Sequence, residues 1–151
     1  MKKIFILFLL IVNACGYQPI YKVNKIPNDI KIQNAELTGN KNISNQIFLK
    51  LPFIIDKNNK LLEKIVIDSN KDIIEASKDS KGQVTSYKVI LSVKYKKLNK
   101  DNIIIEEKDF KKQFTYNADS NKFNLKEYEF KVEKSLIDRV VEDFIIQFNY
   151  K

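Results

Sequence analysis

The sequence contains no histidine, no tryptophan and a single cysteine, and it has only three glycines. Without histidine, neither a Ser-His-Asp triad, nor a Cys-His pair, nor a histidine-ligated metal site can form. One cysteine excludes an intrachain disulfide framework, and three glycines leave little room for a glycine-rich phosphate loop. We therefore predict that the chain is not an enzyme and that it holds no metal and no dissociable cofactor.

The composition of the remainder is ordinary for one soluble domain. Of the 151 residues, 44% are hydrophobic and 30% are charged, which are common values. The 27 basic residues outnumber the 19 acidic ones and give a formal charge of +8, a sign that suggests nucleic-acid binding as one hypothesis. The lysines are dispersed, however, and Arg139 is the sole arginine, so we expect no nucleic-acid partner.

The first 14 residues have the pattern of a signal peptide. Lys2 and Lys3 precede an apolar run at residues 4–12, which at about 1.5 Å per residue is too short to cross about 30 Å of hydrocarbon. Residues 12–15, Val-Asn-Ala-Cys, resemble the lipobox of bacterial lipoproteins. We predict that residues 1–14 are removed and that Cys15 carries a covalent lipid such as palmitate; the alternative is a free or buried thiol.

Lipidation of Cys15 predicts a place in the cell envelope. Two or more acyl chains attach a protein lastingly to a membrane. Gly16 follows Cys15, at a position where aspartate favours inner-membrane retention in enterobacteria, so this resemblance favours the outer membrane. Residues 15–28 contain two prolines and no regular period, and they predict a lipidated N-terminal tether. Residues 29–151 have the size of one domain.

Alternating polar and apolar residues predict four strands. The first covers residues 29–37, and the second lies within 61–77 as either one long strand with a bulge or two short strands. The third is the clearest, because every second residue from Tyr87 to Tyr95 is apolar and predicts a buried face. A turn at residues 99–102 leads into the fourth strand at 103–116.

Two segments have helical spacing. Apolar residues between 43 and 51 form one face, and Pro52 should end or kink that helix. Apolar residues between 136 and 148 form another, and the pattern allows this helix to begin as early as Phe123. The predicted order is β-α-β-β-β-α. We therefore predict an α+β fold, a two-layer sandwich in which two amphipathic helices pack on a roughly four-stranded, antiparallel-rich sheet.

Three segments carry a family resemblance. They are residues 15–21 (Cys-Gly-Tyr-Gln-Pro-Ile-Tyr), residues 82–89 (Gly-Gln-Val-Thr-Ser-Tyr-Lys-Val) and the closing helix at residues 135–145. In this order and spacing they resemble the start, the central strand and the last helix of the lipopolysaccharide-assembly lipoprotein family LptE, alphaproteobacterial type. The resemblance covers essentially the whole mature chain.

The resemblance implies a non-enzymatic function. Proteins of this family plug the lumen of the outer-membrane β-barrel LptD, help that barrel to assemble and assist the delivery of lipopolysaccharide to the cell surface. The implied partners are LptD, lipopolysaccharide and, through the lipid, the membrane, with the domain at the periplasmic side within the barrel lumen. An alternative is a lipid-anchored periplasmic carrier or scaffold of another envelope assembly system.

Lipopolysaccharide carries phosphates, so exposed lysines are candidates for binding it. Lys78 and Lys81 lie beside Gly82 in the turn between the second and third predicted strands, and Lys122 and Lys126 lie near the start of the last helix. Lysine would act as a point charge, without the bidentate geometry of arginine. The alternative is that all four are ordinary solvated lysines of a lysine-rich chain.

Overall fold

The computed structural model describes residues 30–149, so the predicted signal peptide, Cys15 and the predicted tether lie outside the described residues. This part of the chain forms six strands and two helices. They are β1 (Ile30–Ile32), β2 (Asn34–Gly39), α1 (Lys41–Lys50), β3 (Phe53–Ile55), β4 (Lys64–Lys78), β5 (Val84–Leu98), β6 (Ile104–Asn117) and α2 (Lys122–Asn149).

Four strands form the main sheet in the order β2, β4, β5, β6. β2 runs parallel to β4, whereas the β4–β5 and β5–β6 pairs are antiparallel. β1 and β3 form a separate parallel pair. α1 packs against β2 and β4, and α2 packs against β5 and β6. The predicted α+β fold, with two helices packed on a sheet of about four strands, is confirmed.

The core lies between the sheet and the two helices. The alternate residues of β5 predicted to be buried include Val89, Leu91, Val93 and Tyr95, each at most 2% exposed. The ring of Phe144 in α2 lies edge-on to Tyr95, with 5.3 Å between the ring centroids. Helical and strand periods therefore meet in one packed interface, as the sequence pattern predicts.

The first predicted strand is wrong in one respect, because it is divided. β1 leaves the main sheet to pair with β3, with Ile30 opposite Phe53, while β2 pairs with β4. Pro52 follows the end of α1 and directs the chain into the three-residue strand β3, which supplies the partner for β1. The observed order is therefore β-β-α-β-β-β-β-α and not β-α-β-β-β-α.

β4 is one continuous strand, which decides between the two alternatives for residues 61–77. Its register against β5 shifts between Glu75 and Ser77 and again between Ser77 and Lys78, so the irregularity lies near the end of the strand. The last helix begins at Lys122, close to the earliest predicted start. Within residues 30–149, no helix combines the length and the apolar character that a membrane crossing requires.

A glycine makes the connection from β2 to α1 possible. Gly39 has φ +66°, and a Cβ added there would lie 2.2 Å from the carbonyl oxygen of Ser69. Asn40 then caps α1 by accepting a hydrogen bond of 3.3 Å from the backbone N–H of Ile43. The buried hydroxyls of Ser44 and Ser69 lie 2.7 Å apart and hydrogen-bond to each other beneath this connection.

Candidate functional site

The main sheet has two ends that differ in what they carry. At one end Lys64 of β4 pairs with Asn34 of β2 and with Leu98 of β5; we call this the proximal end. The backbone N–H of Gln33 donates to the carbonyl of Glu63 beside it, at 2.8 Å. The beginning of the described chain therefore lies at the proximal end.

The opposite end, which we call the distal end, is formed by the β4–β5 turn (residues 79–83), the loop at 118–121 and the first two turns of α2 (residues 122–129). The backbone N–H of Ala118 donates to the carbonyl of Thr85 at 2.9 Å, which joins the turn and the loop through neighbouring strands. β4 has 15 residues, so at about 3.3 Å per residue the two ends are about 46 Å apart.

The topology brings the two predicted lysine groups to the same end. Lys78 and Lys81 lie at the β4–β5 turn, and Lys122 and Lys126 lie on the first two turns of α2. The two groups are about 40 residues apart in the sequence. The pairing of Ser86 with Asn117 brings both groups to the distal end. The four residues thus occupy one end of the molecule, and a role in binding phosphate stays a prediction.

Asp79 holds the β4–β5 turn in shape. Its carboxylate oxygen accepts hydrogen bonds of 2.8 Å from the backbone N–H groups of Lys81 and Gln83, and Gly82 takes a positive φ of +79°. Asp and Gly are the residues such turns require. The side chain of Lys81 therefore projects from a defined turn that is exposed to solvent.

The four lysines differ in their electrostatic partners. The ammonium group of Lys78 lies 2.8 Å from the carboxylate of Glu75, and this hydrogen bond, together with the charge of Glu75, raises the pKa of Lys78. Within residues 30–149, Lys81, Lys122 and Lys126 form no ion pair. These three ammonium groups are the ones that remain available for an external anion.

The backbone donors at the start of α2 are largely satisfied within the chain. Asn121 caps the helix, since its side-chain oxygen accepts a hydrogen bond of 2.9 Å from the N–H of Phe123. No acidic residue occupies the first turn, but the carboxylate of Asp119 accepts a hydrogen bond of 2.8 Å from the N–H of Asn121 and so lies beside the positive end of the helix dipole. The nearby carboxylate of Glu127 is 2.7 Å from the ammonium of Lys131, which lowers the pKa of Glu127.

A tyrosine cluster, which the sequence analysis missed, supports the distal end. The rings of Tyr87 and Tyr116 have centroids 5.8 Å apart, as do those of Tyr116 and Tyr128. Tyr116 donates to Glu129 at 2.7 Å, and burial followed by this hydrogen bond raises the pKa of Tyr116. The sequence predicts a strand at this place, but nothing in it pairs a strand residue with Glu129.

An open cleft of about 530 Å³ lies between the end of β6 and α2. Its wall is mostly polar, with two amides, a carboxylate, a hydroxyl and the ring of Tyr128. The lining residues are Asn117, Ala118, Asp119, Ser120, Asn124, Leu125 and Tyr128. The distal end thus combines unpaired cations with a polar cleft, an arrangement suited to binding.

No protein-family model and no curated protein matches this chain. Solved structures do match its fold. A minor lipoprotein from Acinetobacter baumannii is 14% identical with a TM-score of 0.61, and the match covers 78% of this chain and 88% of that one. Rare lipoprotein B from Shewanella oneidensis is also 14% identical, with a TM-score of 0.54 and coverage of 78% and 93%.

A third structure extends the set to another bacterium. A putative lipoprotein from Caulobacter crescentus is 10% identical with a TM-score of 0.55, and the match covers 77% of this chain and 86% of that one. At these identities the likeness concerns the fold. The described domain therefore has the fold of bacterial lipoproteins.

Proposed function

We propose that this chain is a non-enzymatic outer-membrane lipoprotein, anchored through Cys15, that plugs the lipopolysaccharide-translocon barrel LptD, helps it to assemble and assists lipopolysaccharide delivery to the cell surface. The shared fold with bacterial lipoproteins supports the lipoprotein part. The resemblance of residues 15–21, 82–89 and 135–145 to the LptE family supports the finer part.

The observation that carries the proposal is the placement of two features at opposite ends of one sheet. The described chain begins at the proximal end, and the unpaired Lys81, Lys122 and Lys126 lie at the distal end. The separation of about 46 Å matches the thickness of about 40–45 Å of a bilayer with its headgroups. A domain held at the inner leaflet could therefore present its cations to phosphates near the outer leaflet.

The packing of the domain favours a plug over a carrier. A carrier for a free lipid would need an apolar cavity between the sheet and the helices. Most of that space is occupied by aromatic rings, among them Phe110 and Phe144, whose centroids are 4.0 Å apart, and Phe148. The crevice of about 200 Å³ that remains between β6 and α2 is smaller than a typical ligand pocket of about 300–1,000 Å³. A rigid sheet-and-helix body also suits the polar lumen of a wide barrel. The scaffold hypothesis remains the alternative, and copurification distinguishes the two.

Copurification after detergent extraction tests the barrel hypothesis. The full-length protein, carrying a C-terminal affinity tag in its native host, should retain a β-barrel of the translocon type in a near-equimolar complex. Depletion of the protein should reduce lipopolysaccharide at the cell surface. Recovery of the protein without any barrel, and unchanged surface lipopolysaccharide after depletion, would overturn the proposal.

Charge reversal tests the distal lysines separately. In the triple variant Lys81→Glu, Lys122→Glu, Lys126→Glu, three unpaired cations are removed, and we expect binding of purified lipopolysaccharide to weaken at least about tenfold. The matched control reverses three exposed lysines of the proximal end, Lys57, Lys60 and Lys100, with the same change of net charge. Equal weakening in both variants would mean that only net charge matters and would contradict a site at the distal end.

A further inference from the structure

The outer edge of β4 is covered along only half of its length. β2 pairs with the first part of β4, from Asn34 opposite Lys64 to Gly39 opposite Ser69. There the chain turns into α1, and Asn40 makes the last contact by donating to the carbonyl of Ser69 at 2.7 Å. Beyond this point no described strand pairs with β4 on that side, so within residues 30–149 the segment 70–78 is an unpaired edge, which we call the open edge.

The direction of the unpaired backbone groups follows from that last contact. Because the Ser69 carbonyl faces β2, and because strand residues alternate in direction, every second residue after Ser69 points its N–H and C=O outward. These residues are Lys71, Ile73 and Glu75, before the register shifts. The intervening residues use their backbone groups to pair with β5. Three residues therefore offer donors and acceptors to an added strand.

An apolar flank of α2 adjoins this open edge. Phe123, Phe130 and Ile137 recur at intervals of seven residues and so share one side of the helix. Ile137 is fully buried where the Lys50–Asp138 ion pair joins the two helices. α1 has only ten residues and runs back toward the proximal end, so Phe130 and Phe123 lie beyond it and are 65% and 75% exposed.

The ion pair between Lys71 and Glu133 places the edge beside the flank. Ile73 lies two residues beyond Lys71 along β4, and Phe130 lies about one turn before Glu133 along α2. Since β4 runs toward the distal end and α2 starts there, both apolar side chains lie on the same side of the ion pair. Ile73 is 41% exposed, and Phe130 lies on the flank of α2 that the Lys71–Glu133 ion pair joins to this part of β4.

We propose that an extended segment of a partner protein adds as a strand to β4 at residues 70–75, with its backbone paired to Lys71, Ile73 and Glu75 and its apolar side chains against Ile73 and Phe130. Unpaired strand edges are natural sites for such addition. The inference rests on the proposed function, because the barrel is the partner in which the segment is sought. The strands of a closed barrel wall have no free edge, so the segment cannot be one of these wall strands.

The chemistry of the open edge favours this occupant over two others. An acyl chain could cover Phe130 and Ile73 but has no donor or acceptor for the backbone groups of the edge. In a second copy paired antiparallel about Ile73, residues 64–69 of β4 would lie opposite positions 77–82 of this chain. The copy's own β2 covers that edge of its β4, so it would overlap with the end of β4 and the turn of this chain. Lys126 precedes Phe130 by four residues and forms no ion pair with any described residue, which favours a segment that carries carboxylates.

A proline at position 73 tests the proposal. Proline removes the outward N–H of Ile73 while leaving the pairing with β5 intact. The matched control is Gln113→Pro in β6, whose N–H points outward from the other edge of the sheet because Ala118 and the even-numbered residues of β6 face β5. In detergent extracts we expect Ile73→Pro to reduce the barrel recovered per mole of protein at least about tenfold, and Gln113→Pro to leave it unchanged.

Cross-linking keeps the test decisive should Ile73→Pro fail to fold. A photoreactive benzoyl-phenylalanine at position 73 should cross-link to the barrel, and one at position 113 should not. The inference fails, and the proposed function stands, if Ile73→Pro retains the barrel as well as the unaltered protein does. The same holds if position 73 cross-links only to a second copy or to lipid while the unaltered protein retains the barrel. If the unaltered protein retains no barrel, the proposed function fails and the inference with it.

Discussion

The hydroxyl of Tyr116 donates a hydrogen bond of 2.7 Å to a carboxylate oxygen of Glu129. This contact joins the end of strand β6 to the second turn of α2, and the loop at 118–121 lies between them in the sequence. Tyr116 is 4% exposed, so the hydrogen bond forms largely away from water. The beginning of α2, and with it the position of Lys122 and Lys126, therefore depends on this pair.

Tyr116→Phe should destabilise the domain by about 1–2 kcal/mol, because it leaves a half-buried carboxylate without its donor. The free energy of unfolding in urea at neutral pH measures the loss. Tyr128→Phe is the matched control, since Tyr128 is 45% exposed and its hydroxyl makes no hydrogen bond to another residue of the described chain; it should cost less than about 0.5 kcal/mol. Equal losses in the two variants would contradict a structural role for the Tyr116–Glu129 pair.

Gly39→Ala should destabilise the domain by about 3 kcal/mol, through a left-handed backbone and an overlap that cannot relax. The added Cβ would lie 2.2 Å from the backbone oxygen of Ser69. Gly82→Ala is the matched control, because Gly82 also has a positive φ but no atom within 4 Å of the added Cβ; it should cost only about 1 kcal/mol. Thermal unfolding followed by circular dichroism compares the two, and a similar cost at both positions would show that backbone conformation alone matters.

Periodic segments were predictable because a period is a local property of the sequence. Alternation from Tyr87 to Tyr95 predicted the central strand and its buried face, and helical spacing predicted α2. Pro52 predicted the end of α1. In each case the signal extends over enough residues for one face to be distinguished from the other.

The features missed depend on contacts between distant segments. β3 has three residues, too few for a period, and β1 separates from β2 only because β3 is available as its partner. The unpaired part of the edge of β4 follows from where β2 stops. The placement of Lys81 and Lys122 at the same end of the sheet follows from strand pairing. The lipidation of Cys15, the binding of phosphate by the four lysines and the barrel partner stay predictions. They concern a modification, a ligand and a protein that are not part of the described domain.

Stability should fall above about pH 10, and two tyrosines should account for part of the fall. Burial raises the pKa of Tyr95, with added effects from the charges of Glu106 and Glu63, and burial with the hydrogen bond to Glu129 raises the pKa of Tyr116. Unfolded tyrosine has a pKa of about 10. Above that pH the unfolded chain releases protons that the folded protein retains, so unfolding is favoured progressively.

The measurement is the urea midpoint at pH values from about 8 to about 11. Relative to its own value at the lower pH, the Tyr95→Phe variant should lose less stability at the higher pH than the unaltered protein, because one retained proton is absent. Every other titratable group is common to the two proteins, so the difference between them isolates Tyr95. A parallel pH dependence in the two proteins would contradict a raised pKa at this position.

Lipidation of Cys15 is the prediction on which the membrane attachment depends. The mature N-terminal peptide, isolated from the native host, should begin at Cys15 and carry the mass of two or three acyl chains, since each buried methylene contributes about 0.8 kcal/mol and a single chain attaches only marginally. The Cys15→Ala variant has no sulfur to receive the lipid, so it should retain residues 1–14 and show no acyl mass. A mature peptide with an unmodified Cys15, or one that starts at Met1, would refute the anchor.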